Sequence, residues 1–160
     1  MVTIGCSAEK TEPSPPISVE KNEVTGYVLD IKDGNILVVD PKLAEIANDE
    51  GRTKDFHRAI WLSNTKEKVS IGQKVKVSYG DTLVSYPAKS EALSMEIVES
   101  NKPKGAFLSE QQVVSKAIGV SPFNEGVTII KKVTYNKSFK NWSVLLKNAE
   151  KEITIEVIDE

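Results

Sequence analysis

A chain of 160 residues with 21 basic and 23 acidic side chains, well mixed and summing to a formal charge of −2, offers no basic field for a phosphate backbone, so no nucleic acid partner is expected. Its apolar content suffices for a sizeable core, as one domain or two small ones, while no apolar run approaches the roughly 18 to 20 residues of a transmembrane helix. One cysteine, Cys6, and one histidine, His57, preclude an intramolecular disulfide and a Cys-based zinc site, and no G-x-S-x-G elbow accompanies the histidine.

Residues 1–20 contain three prolines and no apolar periodicity, and read as a tail. Within them Ile4-Gly5-Cys6-Ser7 resembles the end of a bacterial lipobox, with Thr3 where leucine is usual. Met1 to Gly5 supply neither a basic n-region nor a long apolar h-region, so the segment is read as the remnant of a processed signal peptide with Cys6 as the lipid-bearing residue. A free cysteine in a cytosolic chain is the alternative. If Cys6 is acylated, Ser7 to Val19 form a tether of about 20 Å r.m.s. reach as coil and about 40 Å when extended, enough to lift a small domain clear of lipid headgroups.

Thr25 to Pro41 reads as a β-hairpin about Asp33-Gly34, which supplies the two positive φ angles of a type I′ turn. That register sets Ile31 against Ile36 and Leu29 against Val38 on one face, and Val28 against Val39 and Asp30 against Leu37 on the other. Asp40-Pro41 should end the second strand, because proline lacks the N–H for a ladder. Leu43, Ile46 and Ala47 then have helical spacing, stopping near Gly51. The acidic run Asn48 to Arg52 and the stretch Asp30 to Asn35 both lack EF-hand spacing and read as loop and turn chemistry, so no metal is expected.

Arg58 to Ser63 is a third strand, in which Trp61 is either core or a stacking platform; its flanking Ile60 and Leu62 favour core. His57 at its edge suits a local hydrogen bond. After a turn at Gly72, strict alternation puts Val75, Val77 and Tyr79 on one face and Lys74, Lys76 and Ser78 on the other. Leu83 to Tyr86 reads as a short strand ended by Pro87, and Leu93, Met95 and Ile97 share a face of a final one. Five or six short strands with an Ile-Gly-x-x-Val-x-Val corner are consistent with a small β-barrel.

Gly26-Tyr27-Val28, Ile36-Leu37-Val38-Val39, Ala59-Ile60-Trp61, Gly72-Gln73-Lys74-Val75-Lys76-Val77 and Ser85-Tyr86-Pro87-Ala88, in this order over roughly residues 22–99, resemble an uncharacterised family of small lipoproteins of spore-forming Gram-positive bacteria. The resemblance implies an OB-like antiparallel β-barrel, anchoring through Cys6 and no assigned activity. Residues 100–108 read as a linker. Ser109 with Gln112 forms a capping box, Val113, Val114, Ala117 and Ile118 form a helical stripe, and Gly119 is a stop. Val127 to Tyr135, Trp142 to Lys147 and Glu152 to Ile158 read as strands. This αβββ order resembles the PepSY type of small exported domain.

The expected architecture is therefore mainly β, α+β overall: a tether over 1–20, an OB-like barrel over 21–99, a linker, and an αβββ unit over 109–160 packed on the barrel. So short a unit does not stabilise itself readily. The hairpin, apolar on both faces, should have the barrel interior within and the C-terminal unit without. The leading functional expectation is an extracytoplasmic lipoprotein held on the cell membrane by Cys6, without cofactor, that binds an unknown protein or cell-envelope ligand and is not an enzyme. OB-type faces bind through stacking side chains, so Trp61, Tyr79 and Tyr86 are the candidate ligand residues, with barrel core as the bland alternative for each. Further readings are an inhibitor or modulator of an exported hydrolase acting through the C-terminal unit, and an enzyme pairing Asp30 with Asp40 or Asp81.

Overall fold

The turn at Asp33-Gly34 forms as its chemistry dictates, with φ of 50° and 77°. It joins β1 (Asn22–Lys32) to β2 (Asn35–Ala47) in a computed structural model that describes residues 22–47 and 53–160. Cys6, the tether and the acidic run 48–52 lie outside the described residues. Near the turn the ladder follows the expected register, Ile31 opposite Ile36 and Asp30 opposite Leu37, but beyond it Val28 faces Val38 and Tyr27 faces Val39. One extra residue, Leu29, is accommodated as a β-bulge, so the expected Leu29–Val38 and Val28–Val39 pairs do not form. The bulge resets the alternation. Val28, Ile36 and Val38 point into the barrel, and Tyr27, Leu29, Leu37 and Val39 point out.

A second irregularity lets β2 run past Pro41. Asp40, Pro41 and Lys42 bulge opposite Arg58, where the missing proline N–H is not needed, and pairing with β3 (Thr53–Ser63) resumes at Leu43–His57 and continues to Ala47–Thr53. Asp40 stabilises the bulge twice: its Oδ1 accepts from Lys42 N at 2.8 Å, and its carbonyl lies 3.2 Å from His57 Nδ1. Leu43 to Ala47 are thus strand and not the expected helical turns, because the partner strand outweighs a three-residue spacing signal.

β4 (Lys74–Tyr79) alternates as expected, with Val75, Val77 and Tyr79 inside. Leu83 to Tyr86 do not form a strand: one isolated bridge, Leu83 to Lys89, is the only ladder contact within an exposed loop over 80–87. In β5 (Ala88–Val98) a further bulge falls between the Ser78–Ser94 and Tyr79–Ala92 pairs. It turns Ala92 inward and leaves Leu93 54% exposed, so Leu93 does not share a face with Met95 as its spacing predicts. The strand order β1-β2-β3-β5-β4 closes into a barrel, with β3 and β5 parallel from Ile60–Ala88 to Ser63–Glu91. The OB-like barrel is therefore antiparallel except at this seam.

The capping box forms, with Ser109 N donating to Gln112 Oε1 at 2.9 Å, and starts α1 (Glu110–Gly119), whose Val113, Val114 and Ala117 are buried. β6 (Thr128–Asn136), β7 (Asn141–Asn148) and β8 (Lys151–Ile158) make a separate antiparallel sheet in sequence order. Trp142, Val144 and Leu146 of β7 share a core with the helix stripe, and that core also takes in Tyr27, Leu29, Leu37, Val39 and Ala59 from the outside of the barrel. The hairpin is covered on both faces.

Tyr27 and Gly72 join the barrel to α1, and Asp159 braces the C-terminal unit from within. The Tyr27 hydroxyl donates to the Glu110 carboxylate, and Lys74 Nζ lies 5.4 Å from the Tyr27 ring centroid. The turn at Gly72 is held to β1 by Gly72 N to Val28 O and Val28 N to Gln73 O, both 2.8 Å, and fits so closely against α1 that a Cβ there would meet Gln111 O at 2.4 Å. At the far side Asp159 is buried and accepts from Phe107 N, Leu108 N, Trp142 Nε1 and the Tyr135 hydroxyl. That one carboxylate, just past β8, ties the start of the helical segment to β6 and β7 at one end of the sheet. Burial works to raise its pKa, but the hydrogen bonds from Leu108, Phe107, Trp142 and Tyr135 together hold it below the usual aspartate value.

Candidate ligand groove

Parallel pairing of β3 with β5 sets Trp61 beside Lys89 and Leu62 beside Ser90. Leu62 is fully buried, so its neighbours Trp61 and Ser63 stand on the outer side of the barrel wall. The β1–β2 turn curls alongside, contributing Lys32, Asp33 and Asn35, and the result is a groove of about 410 Å³ lined by these three with Trp61, Ser63, Lys89 and Ser90. Its floor is held by Ser63 Oγ donating to Ser90 O at 3.4 Å, and Ser90 Oγ donating to Asp81 O at 2.8 Å anchors the loop over 80–87 beside it.

The groove presents one indole, two ammonium groups, one carboxylate at the rim, one carboxamide and two hydroxyls. Trp61 is half-buried because one side packs on the core shared with the C-terminal unit, which fixes the ring while the remaining side lines the groove. A fixed aromatic face with hydrogen-bonding groups around it suits a polar ligand that has a flat or ring-shaped apolar side.

The other expected site residues lie elsewhere. Tyr79 is 5% exposed and fills the barrel interior, so it lines no groove. Tyr86 sits on the loop over 80–87, 58% exposed, with its hydroxyl donating to His57 O at 3.1 Å; partial burial pushes its phenol pKa up. His57 is buried in its local bond to Asp40 O. The three carboxylates considered for acid–base work are not gathered. Asp30 accepts from Ile31 N at 2.8 Å, Asp40 from Lys42 N, and the pocket that Asp30 lines contains neither Asp40 nor Asp81. Among the described residues no group of three or more His, Cys, Asp or Glu is placed to hold a metal ion, and no helix is long and apolar enough to cross a membrane.

Sequence reasoning missed Lys32, Asn35, Ser63, Lys89 and Ser90. Their only signal was adjacency to the hairpin turn and to Trp61, since a parallel register between β3 and β5 leaves no trace in local periodicity. Asp159 was missed for a similar reason: its four donors come from three separate segments.

A family model described as a protein of unknown function, DUF3221, matches residues 25–99. The match runs from within β1 to one residue past β5, so this domain of unknown function coincides with the barrel and contains none of α1 to β8. No curated protein and no solved structure matches the chain.

Proposed function

We propose that the chain is an extracytoplasmic lipoprotein, anchored through Cys6, whose barrel holds a short polar cell-envelope ligand in the Trp61 groove without transforming it. The observation that carries the reading is the groove itself: an aromatic face immobilised from behind, with Lys32 and Lys89 placed to meet acceptor atoms of the ligand. It lies where β3 and β5 meet, beside the β1–β2 turn, the loop that is one of the ligand-binding loops of OB-type barrels. The lipobox-like Ile4-Gly5-Cys6-Ser7 and the resemblance to lipoproteins of spore-forming Gram-positive bacteria support the outer face of the membrane.

The test is titration of Trp61 emission with short oligosaccharides, polyol phosphates and peptides prepared from a Gram-positive envelope. A saturable change that is lost in Trp61→Ala and weakened in Lys32→Ala/Lys89→Ala supports the reading. No saturable change with any of the three classes sinks it. Anchoring is tested separately by radiolabelled palmitate incorporation into the precursor, and label that persists in Cys6→Ala refutes it.

A second reading, modulation of an exported hydrolase through the PepSY-like C-terminal unit, draws on one observation. Phe139 and Ile158, 79% and 66% exposed, lie at the same end of the sheet, where Asn141 pairs with Ile158. Because this unit shares its core with the barrel, the test is a pull-down from envelope extracts with the whole chain as bait. A protease recovered equally well by Phe139→Ser/Ile158→Ser would discard this reading.

A further inference from the structure

Among the described residues, the most exposed apolar side chains of the barrel are gathered near Asn22, where β1 begins. The loop over 80–87 carries Leu83 at 69%, Val84 at 107% and Tyr86 at 58% exposure, so the Val84 side chain touches nothing and the other two are largely in water. Isolated exposed apolar residues are ordinary; three within four consecutive residues of one projecting loop are not. The loop is held in place by Leu83 N donating to Lys89 O at 3.0 Å, Ser90 Oγ to Asp81 O, and the Tyr86 hydroxyl to His57 O. Leu43, 57% exposed, pairs with His57 and so adds a fourth apolar side chain at the residue whose carbonyl Tyr86 holds. Asn22, where the preceding residues join the barrel, pairs with Tyr79, and its Nδ2 donates to Gly80 O at 3.4 Å. The tether therefore reaches the barrel at the root of this loop.

We infer that the loop over 80–87, with Leu43, is a membrane-docking surface: Leu83 and Val84 enter the headgroup region of the bilayer and Tyr86 sits at its boundary. The inference rests on the reading of Cys6 as the lipid-bearing residue. Cys6 precedes Asn22 by sixteen positions, and a chain of that length spans about 20 Å by flexible-linker scaling, so the end of the barrel at Asn22 is the end kept nearest the lipid. The tether sets the greatest distance of the domain from the membrane, and the loop sets the distance it adopts. A tyrosine beside aliphatic residues has the amphipathic character favoured at a membrane–water boundary. The charges on and beside this surface are of both signs, Asp81 in the loop, Lys89 bridged to Leu83, Glu91 bonded through its carbonyl to Gly80 N, Lys42 next to Leu43, and Arg58 bonded to Glu23 O, so attachment is apolar and indifferent to anionic lipid. A single acyl chain holds a protein only reversibly, and a second, weak contact raises residence on the surface. The loop supplies that contact.

Because Cys6 is the only cysteine, the full chain can be coupled through it to a maleimide lipid in phosphatidylcholine nanodiscs, which reproduces the anchor whether or not a cell acylates it. With doxyl-labelled lipid added, the Leu83 and Val84 methyl signals and the Tyr86 ring signals broaden first, while those of Asp33, Asn35 and Phe139 stay sharp. Leu83→Ser/Val84→Ser leaves the rest of the spectrum in place, abolishes the selective broadening, and lowers the lipid-bound fraction of an uncoupled, singly acylated chain by about tenfold or more. Replacing a third of the lipid by phosphatidylglycerol changes neither result. Uniform broadening over the surface, broadening centred on Phe139 and Ile158, or loop signals untouched by doxyl lipid overturns the inference. Failure of palmitate labelling with selective broadening intact would count against the anchor alone.

Discussion

Replacing Gly72 by alanine tests whether the barrel and the C-terminal unit unfold as one body. Gly72 has φ +85°, and a Cβ there would lie 2.4 Å from Gln111 O and 2.8 Å from Ser115 N, both helix backbone atoms that cannot rotate away. Gly34 is the matched control, with φ +77° and nothing within 4 Å of its added Cβ. Both variants incur the left-handed cost of an L residue, about 1–2 kcal/mol. Gly72→Ala must also push α1 outward from the barrel, an overpacking cost of about 1–3 kcal/mol, which brings its total to roughly 2–5 kcal/mol. With a urea slope of about 2 kcal/mol/M the midpoint falls by roughly 1–2.5 M for Gly72→Ala, and by less than about 1 M for Gly34→Ala. In a Trp61→Phe background, urea unfolding followed by Trp142 emission, which then reports the C-terminal unit, and by far-ultraviolet circular dichroism, which reports mainly strands, should give coincident transitions that shift together. Equal midpoints for the two variants, or a Trp142 transition separate from the loss of strand signal, would refute the shared core.

Other consequences follow from particular side chains. Tyr27→Phe removes the hydroxyl that donates to Glu110 across the seam and should cost about 1.5–3 kcal/mol in chemical denaturation at neutral pH. Burial first, and then the Glu110 carboxylate, raise the Tyr27 pKa above its ordinary 10.0. Its contribution is therefore complete below pH 10 and declines as the pH rises above that, and this alkaline loss should be smaller in Tyr27→Phe. For Asp159 the sign is opposite: its lowered pKa makes its contribution complete above the ordinary 3.8 and lost as the pH falls through the folded-state value. Asp159→Asn should lower the urea midpoint at pH 7 and flatten that acid limb, and an unchanged acid limb would count against the clamp. Iodide should quench Trp61 and leave Trp142, 1% exposed, untouched, so Trp61→Phe should abolish the quenchable emission.

Elements whose signals are local were readable from the sequence. Asp33-Gly34, the alternation of Val75, Val77 and Tyr79, the Ser109–Gln112 box and the three C-terminal strands all appear where the residues put them. The double-sided hairpin also pointed correctly to a covering unit, because a strand pair apolar on both faces cannot be left solvated. What escaped were the phase changes. Leu29 and Leu93 are each an inserted residue that flips the side chains beyond it, and periodicity cannot place an insertion without the partner strand. Pro41 has the chemistry of a strand stop yet occupies a bulge, and Leu83 to Tyr86 resemble a strand in composition but have no ladder partner beyond one bridge. For the groove, Trp61 was found by residue type, while Lys32, Lys89 and the hydroxyls depend on a parallel seam that no local pattern encodes.

The outer side of the hairpin leaves a mark that can be sought in other chains. The matched domain ends at Glu99, yet Tyr27, Leu29, Leu37, Val39 and Ala59 within it face residues that come after that point. A protein carrying this barrel by itself would expose an apolar stripe along β1, β2 and β3, a patch that favours self-association. Positions 27, 29, 37, 39 and 59 should therefore turn polar wherever the barrel stands alone, and stay apolar wherever a companion unit covers it. Five residues would then tell, from sequence, which barrels of this kind are half of a larger core.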